Sequence, residues 1–503
     1  MIQRRLGVTL LAVVAAIGLL GAPVGPTSPL EVRAARPDLT ITTSARYDVQ
    51  PERQRVRVTV DMTLTNHLKD TTTRRFYFDE AFLAVLPGTS GFKLTWDGSG
   101  SPSVRATKKT GTHTLLRFGL AQRLYSGKTA RYRLTFDLKD PGGAPTRDVR
   151  VGDSLVLLPV WSFATDDTAG SSVTVVFPAG FDVDVESGSI PPPATDDAGR
   201  ITFRSGRLGK PLDFFAYLVA DRPGAYTEDV VATQVGSVPI ELLVRSWPDD
   251  EPWAERVSGL LRDGLPLLGE RIGLGWAHEG RLVVQEAVSR STGGYAGLFD
   301  PRAGRVDIAY YADDCVILHE AAHGWFNGAL LADRWASEAF ASWYATDVAV
   351  DLDVEVRPDV LTDELRTARI PLNAWGPVGS EELAAEDYAY AAAYELARLI
   401  AERAGQDGLR RVWSDAAGRI GAYQPPAGAP EMVDEAPDWR GLLDVLEART
   451  DATYDDLWRT WVARPSDLPL LDDRAAARER LAEIKAAPSD WSIPKVIRDA
   501  MRA

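Results

Sequence analysis

Cysteine is nearly absent from this 503-residue chain: Cys315 is the only one, so no intramolecular disulfide and no cysteine-built zinc or iron–sulfur centre is available. Histidine is almost as scarce, at five residues (His67, His113, His278, His319 and His323), which leaves few places for histidine chemistry. Basic charge is also in deficit, with 56 Lys and Arg against 71 Asp and Glu for a net charge of −15, so the basic footprint of a nucleic-acid binder is missing. Long apolar runs are confined to one place, Leu6 to Leu20. What remains is an ordinary globular composition, 45% hydrophobic and 25% charged, in a chain long enough for about three domains.

The Leu6–Leu20 run follows Arg4 and Arg5 and precedes Gly21-Ala22-Pro23, the layout of a secretory signal. It is short for a membrane span of roughly 20 residues. Residues 1–25 are therefore expected to be a cleaved signal, with an uncleaved membrane anchor as the alternative, and the body is expected to be exported.

From 37 to 223 the pattern is β. Val56, Val58, Val60, Met62 and Leu64 alternate with Arg55, Arg57, Thr59, Asp61 and Thr63, a period of two that buries one face. Tyr132, Leu134, Phe136 and Leu138 repeat it, and turn clusters such as Asp140-Pro141-Gly142-Gly143 divide the segment into short strands, as in a sandwich-like domain. From 226 to 410 the pattern is mixed α and β, and 411–503 reads as a helical array. The expected fold class is thus multidomain: an all-β amino-terminal domain, an α+β domain, and a carboxyl-terminal helical region.

Chemistry concentrates in His319-Glu320-Ala321-Ala322-His323. On a helix that Asp314 can cap, a spacing of four stacks both imidazoles on one face, where they can share one ion, with Glu320 beside it. So few histidines would produce this pattern by chance only roughly 0.007 times per chain. Zinc suits neutral imidazoles and needs a third protein ligand with one position left open. Glu338 fits, on a second helix that Asp333 can cap and that a short connection makes a neighbour of the first. Two histidines and a glutamate make a hydrolytic set: one Zn2+ lowers the pKa of its water, and Glu320 takes the proton and passes it to the leaving group.

These residues resemble a known family. His319 to Phe326 followed by Ser337-Glu338-Ala339-Phe340-Ala341-Ser342 is similar to the paired zinc-site helices of aminopeptidase N and its relatives, the gluzincin metallopeptidases. The resemblance implies a thermolysin-like catalytic domain at 226–410, His319, His323 and Glu338 as zinc ligands, Glu320 as general base and acid, and a peptide or protein substrate. It also implies an oxyanion-stabilising tyrosine, for which Tyr390 aligns best and Tyr388 is the alternative; Ala393 stands where the family pattern has a glycine. Two departures bear on specificity. Fourteen residues separate His323 from Glu338, about one helical turn fewer than in the family. The family's amine-anchoring Gly-x-Met-Glu-Asn has no counterpart: Ser291-Thr292-Gly293-Gly294-Tyr295-Ala296-Gly297-Leu298 occupies that stretch without a carboxylate. Gly293, Gly294 and Tyr295 are the expected substrate-binding residues, on an edge strand that pairs with substrate backbone. The expected function is a zinc metallopeptidase with aminopeptidase action, the alternatives being an endopeptidase, a zinc hydrolase of other substrates, or a non-catalytic scaffold. Glu286 and Asp307 are read as strand carboxylates facing water, and His278 and Cys315 as structural.

Overall fold

A computed structural model describes residues 37–276, 278, 281–300, 302–356, 360–450, 452–486 and 493–502. The expected signal or anchor at 1–25 lies outside them. Among the described residues no helix is long and apolar enough to cross a membrane. The chain forms two compact units, residues 37–225 with 247–249, and residues 226–246 with 250 onward.

The first unit is β-rich. Its largest sheet has seven strands, in which Leu39–Gln50, Arg55–Asn66 and Thr129–Lys139 are consecutive neighbours, accompanied by a four-stranded and a three-stranded sheet. The alternation read from the sequence sets the faces: Val56, Val58, Val60, Met62 and Leu64 are buried in the core, while Arg55 and Arg57 on the opposite face bond to Asp137 of the neighbouring strand at 2.9 and 2.8 Å.

The second unit contains a five-stranded sheet and a set of helices around one core. Its strands are β1 (Thr227–Val235), β2 (Val238–Ser246), β3 (Leu282–Ala287), β4 (Gly297–Asp300) and β5 (Arg305–Ala309), in the order β1-β2-β3-β5-β4, with β4 antiparallel to β5 at the edge. Its principal helices are α1 (Glu251–Ile272), α2 (Asp314–Ala322), α3 (Arg334–Asp351), α4 (Leu383–Ala417), α5 (Trp439–Thr450), α6 (Leu468–Ala486) and α7 (Lys495–Arg502). The anticipated division at 410/411 falls inside α4, and Leu442, Leu446, Trp458 and Leu471 share a core with Leu318 and Phe340. Within α4, Gly405 has a non-helical backbone, with φ 67° and ψ 161°, so the segment is two helices that meet at a kink.

Helix starts differ from expectation in detail. Asp313 caps α2 through Val316 N at 3.0 Å, and Asp314 is its first residue, bonded to Arg256 at 2.7 Å. Asp333 precedes α3 without a side-chain cap, because its carboxylate accepts from Trp439 N at 2.5 Å.

Candidate metal centre

The site is assembled on α2, α3 and β4. His319 and Glu320 lie in the last turn of α2, and His323 is its C-terminal cap residue. Gly324 lets the chain leave the helix: a Cβ there would lie 2.6 Å from the Trp276 ring and 3.0 Å from Ala321 O. Glu338 sits in the second turn of α3, which packs on α2.

Three ligand-type atoms converge. His319 Nε2 and His323 Nε2 are 3.1 Å apart, and Glu338 Oε2 is 3.2 Å from the first and 3.4 Å from the second. Tetrahedral zinc with bonds of about 2.0–2.1 Å requires ligand atoms about 3.3–3.4 Å apart, so these spacings fit one zinc ion almost without adjustment. The donor set is also chemically consistent. His323 Nδ1 donates to Phe326 O at 2.7 Å, which turns Nε2 toward the centre and makes it the lone-pair nitrogen of the neutral ring. His319 Nδ1 meets Ser342 Oγ at 3.1 Å. Glu338 Oε2 is buried with no hydrogen-bond donor of good geometry, as expected of an oxygen set aside for a cation. His319, His323 and Glu338 are the one cluster among the described residues in which three such side chains can hold a metal.

Glu320 is 1% exposed, and its Oε1 has no hydrogen-bond partner. Burial pushes its carboxyl up to about 8. Burial pushes His319 down to about 4. For His323 burial acts in the same direction, but the Glu338 charge outweighs it and the result is a rise to about 9. Glu338 itself lies well below the ordinary carboxylate range, because His323 and His319 overcome the cost of its burial.

Three tyrosines of α4, Tyr388, Tyr390 and Tyr394, have different surroundings. Tyr390 is buried, its hydroxyl accepts from Arg334 at 2.9 Å, and burial followed by the Glu338 charge raises its pKa well above the usual value. Tyr388 faces Arg369 and Arg366 instead, and Tyr394 packs on Trp343.

Gly293 and Gly294 do not lie on the edge strand. With φ of 64° and 93° they close a turn after a 3-10 segment at Ser289–Thr292, a conformation that glycine tolerates and a strand does not use. Tyr295 is 2% exposed, and its hydroxyl donates to Glu386 Oε1 at 2.7 Å, so its side chain belongs to the interior. The edge strand begins at Gly297, directly against Glu320. Glu286 and Asp307 are also buried, at 0% and 4% exposure, because β3 and β5 are interior strands of the sheet. His278 caps the site region: it bonds to Gly324 O at 3.0 Å and packs on Phe299, whose ring stacks on His323.

Arg334, Glu386 and Ser342 also belong to the site, although no motif in the sequence marks them. Arg334 and Glu386 stand four residues before Glu338 and Tyr390 respectively, a spacing that puts each on the same helix face as its partner.

No protein-family model and no curated protein sequence matches the chain. Among solved structures, it is similar to an M1 zinc metallopeptidase from Deinococcus radiodurans at 17% identity and a TM-score of 0.32, covering 85% of this chain and 94% of that one. A mutant of that enzyme bound to a Tyr-Ser-Ala substrate gives 17% identity and a TM-score of 0.33, covering 84% and 95%. A two-domain M1 zinc metallopeptidase mutant bound to L-tryptophan gives 16% and 0.32, covering 84% and 95%. The functional reading rests on the site geometry.

Proposed function

We propose that this protein is a zinc-dependent hydrolase of peptide bonds. The observation that carries the reading is the convergence of His319 Nε2, His323 Nε2 and Glu338 Oε2 within 3.1–3.4 Å of one another, beside a buried Glu320. These three side chains would hold one zinc ion, which when bound supplies Lewis acidity toward a carbonyl and lowers the pKa of water at the site. Glu320 takes the proton of the attacking water and returns it to the leaving amine. Tyr390 donates its hydroxyl hydrogen to the carbonyl oxygen as negative charge develops there. Gly297, having no side chain, leaves space beside Glu320, and β4 offers its backbone at the sheet edge.

Aminopeptidase action is the narrower reading and endopeptidase action its rival. In support of the first stands the resemblance in the paired helices; the stretch 291–298 lacks the family's amine-binding carboxylate. Export, by a cleaved signal or with a retained anchor, rests on residues 1–25 alone. The test is a panel of matched peptides with free and acetylated amino termini, together with ester and amide substrates that contain no peptide bond. Faster release from free-amine peptides supports an aminopeptidase. Equal rates move the assignment to endopeptidase, and turnover of the non-peptide substrates alone rejects the peptidase reading.

A further inference from the structure

We propose that Arg334 is a positioning residue of this centre: one guanidinium orients the Glu338 carboxylate toward the histidine pair and fixes the Tyr390 hydroxyl as a donor. The inference rests on the hydrolytic reading above.

Two helices each present a pair at a spacing of four, Arg334 and Glu338 on α3 and Glu386 and Tyr390 on α4, and the pairs face each other. Arg334 NH2 donates to Glu386 Oε1 at 2.6 Å and to Tyr390 OH at 2.9 Å, and NH1 donates to Gly376 O at 2.9 Å. Its plane is held by the Trp375 ring, 4.1 Å from the guanidinium carbon. Nε is left without a hydrogen bond and lies 3.9 Å from Glu338 Oε1. The two oxygens of Glu338 are thereby distinguished, Oε1 toward the cation of Arg334 and Oε2 toward His319 and His323.

The effect on Tyr390 follows from hydrogen-bond polarity. A guanidinium has no acceptor, so the tyrosine oxygen must accept and its hydrogen must point elsewhere. An oxygen that already accepts from a cation also donates more strongly, because successive hydrogen bonds polarise one another. Glu386 holds the device in place. Its carboxylate takes Tyr295 OH at 2.7 Å and Trp375 Nε1 at 2.8 Å as well as Arg334, so it acts as a buried counter-charge. Lysine has no fork with which to meet Glu386, Tyr390 and Gly376 together.

The experiment compares full-length wild type, Arg334→Lys, and the double variant Arg334→Met/Glu386→Gln, in which both buried charges are removed so that neither is left unpaired. Thermal unfolding, zinc affinity by chelator competition, and kcat and KM on a peptide cut by the wild type are measured. The double variant is expected to fold, to lose about 10–100-fold in kcat with KM within about twofold, and to bind zinc about tenfold more weakly. Arg334→Lys is expected to recover zinc affinity but not kcat. Wild-type kcat and zinc affinity in a folded double variant, or wild-type kcat in Arg334→Lys, overturn the inference alone. A wild type that takes up no zinc and cuts no peptide overturns the hydrolytic reading and this inference together.

Discussion

Gly297 and Glu320 touch across the edge of the sheet: a Cβ on Gly297 would lie 2.5 Å from Glu320 Cγ and 2.7 Å from its Oε1. The contact ties the position of the proposed general base to the absence of a side chain on β4. Gly297→Ala should therefore displace either the strand or the carboxyl, at about 1–3 kcal/mol of stability. Activity should fall about 100-fold, the scale of a misplacement near 1 Å, with zinc content unchanged. Parallel unfolding and kinetic measurements check this, and a fully active variant would show that Glu320 needs no such fit.

Glu320→Gln is expected to fold and bind zinc as the wild type does while losing about 10²–10⁴-fold in activity. Because the native carboxyl is buried with an unpartnered oxygen, the amide should unfold at or above the wild-type temperature. Calorimetry on the metal-loaded proteins distinguishes this from a structural role, which would lower the transition.

Ser342 is the partner of His319 Nδ1, at 3.1 Å. Ser342→Ala should weaken zinc binding about 10–100-fold, since the imidazole loses the group that orients it. Chelator competition reads this directly, and an unchanged affinity would mean that packing alone orients the ring.

Glu431 receives both Arg498 and Arg502 of α7. The hydrogen bond from Arg498, followed by that from Arg502, lowers its pKa to about 2. Its folded pKa lies below the unfolded value of about 4.3, so the contribution to docking α7 is complete above that value and is lost as pH falls through about 2. Pepsin should attack the carboxyl terminus faster at pH below about 2 than at about 4. At neutral pH, Glu431→Gln should speed tryptic cleavage after Arg498, which is buried in the docked helix. Equal cleavage of variant and wild type would place the docking energy elsewhere.

Much of this was legible in the sequence because two periodicities carry it. The period of two in Val56 to Leu64 specifies a buried face, and the spacing of four in His319 and His323 specifies a shared ligand direction. Element boundaries were less legible. The α4 segment kinks at Gly405, where φ of 67° and ψ of 161° separate two helical stretches, and residues of both stretches lie in one core, which makes 410/411 a poor domain boundary. The run Ser291 to Leu298 misled for a local reason: two glycines with positive φ make a turn, and the strand starts only at Gly297. Burial of Glu286 depends on strand order, which alternation along one strand does not contain. The Arg334–Glu386 pair joins residues 52 positions apart, so its spacings were visible while its pairing was not.

The most direct test of the metal centre is the zinc content of purified protein by mass spectrometry after chelator treatment, resupply and desalting, with Glu338→Gln alongside. One zinc per wild-type chain, and substoichiometric zinc in the variant, is the predicted result. A wild type that retains none, or a variant that retains as much as the wild type, would contradict a centre built from His319, His323 and Glu338.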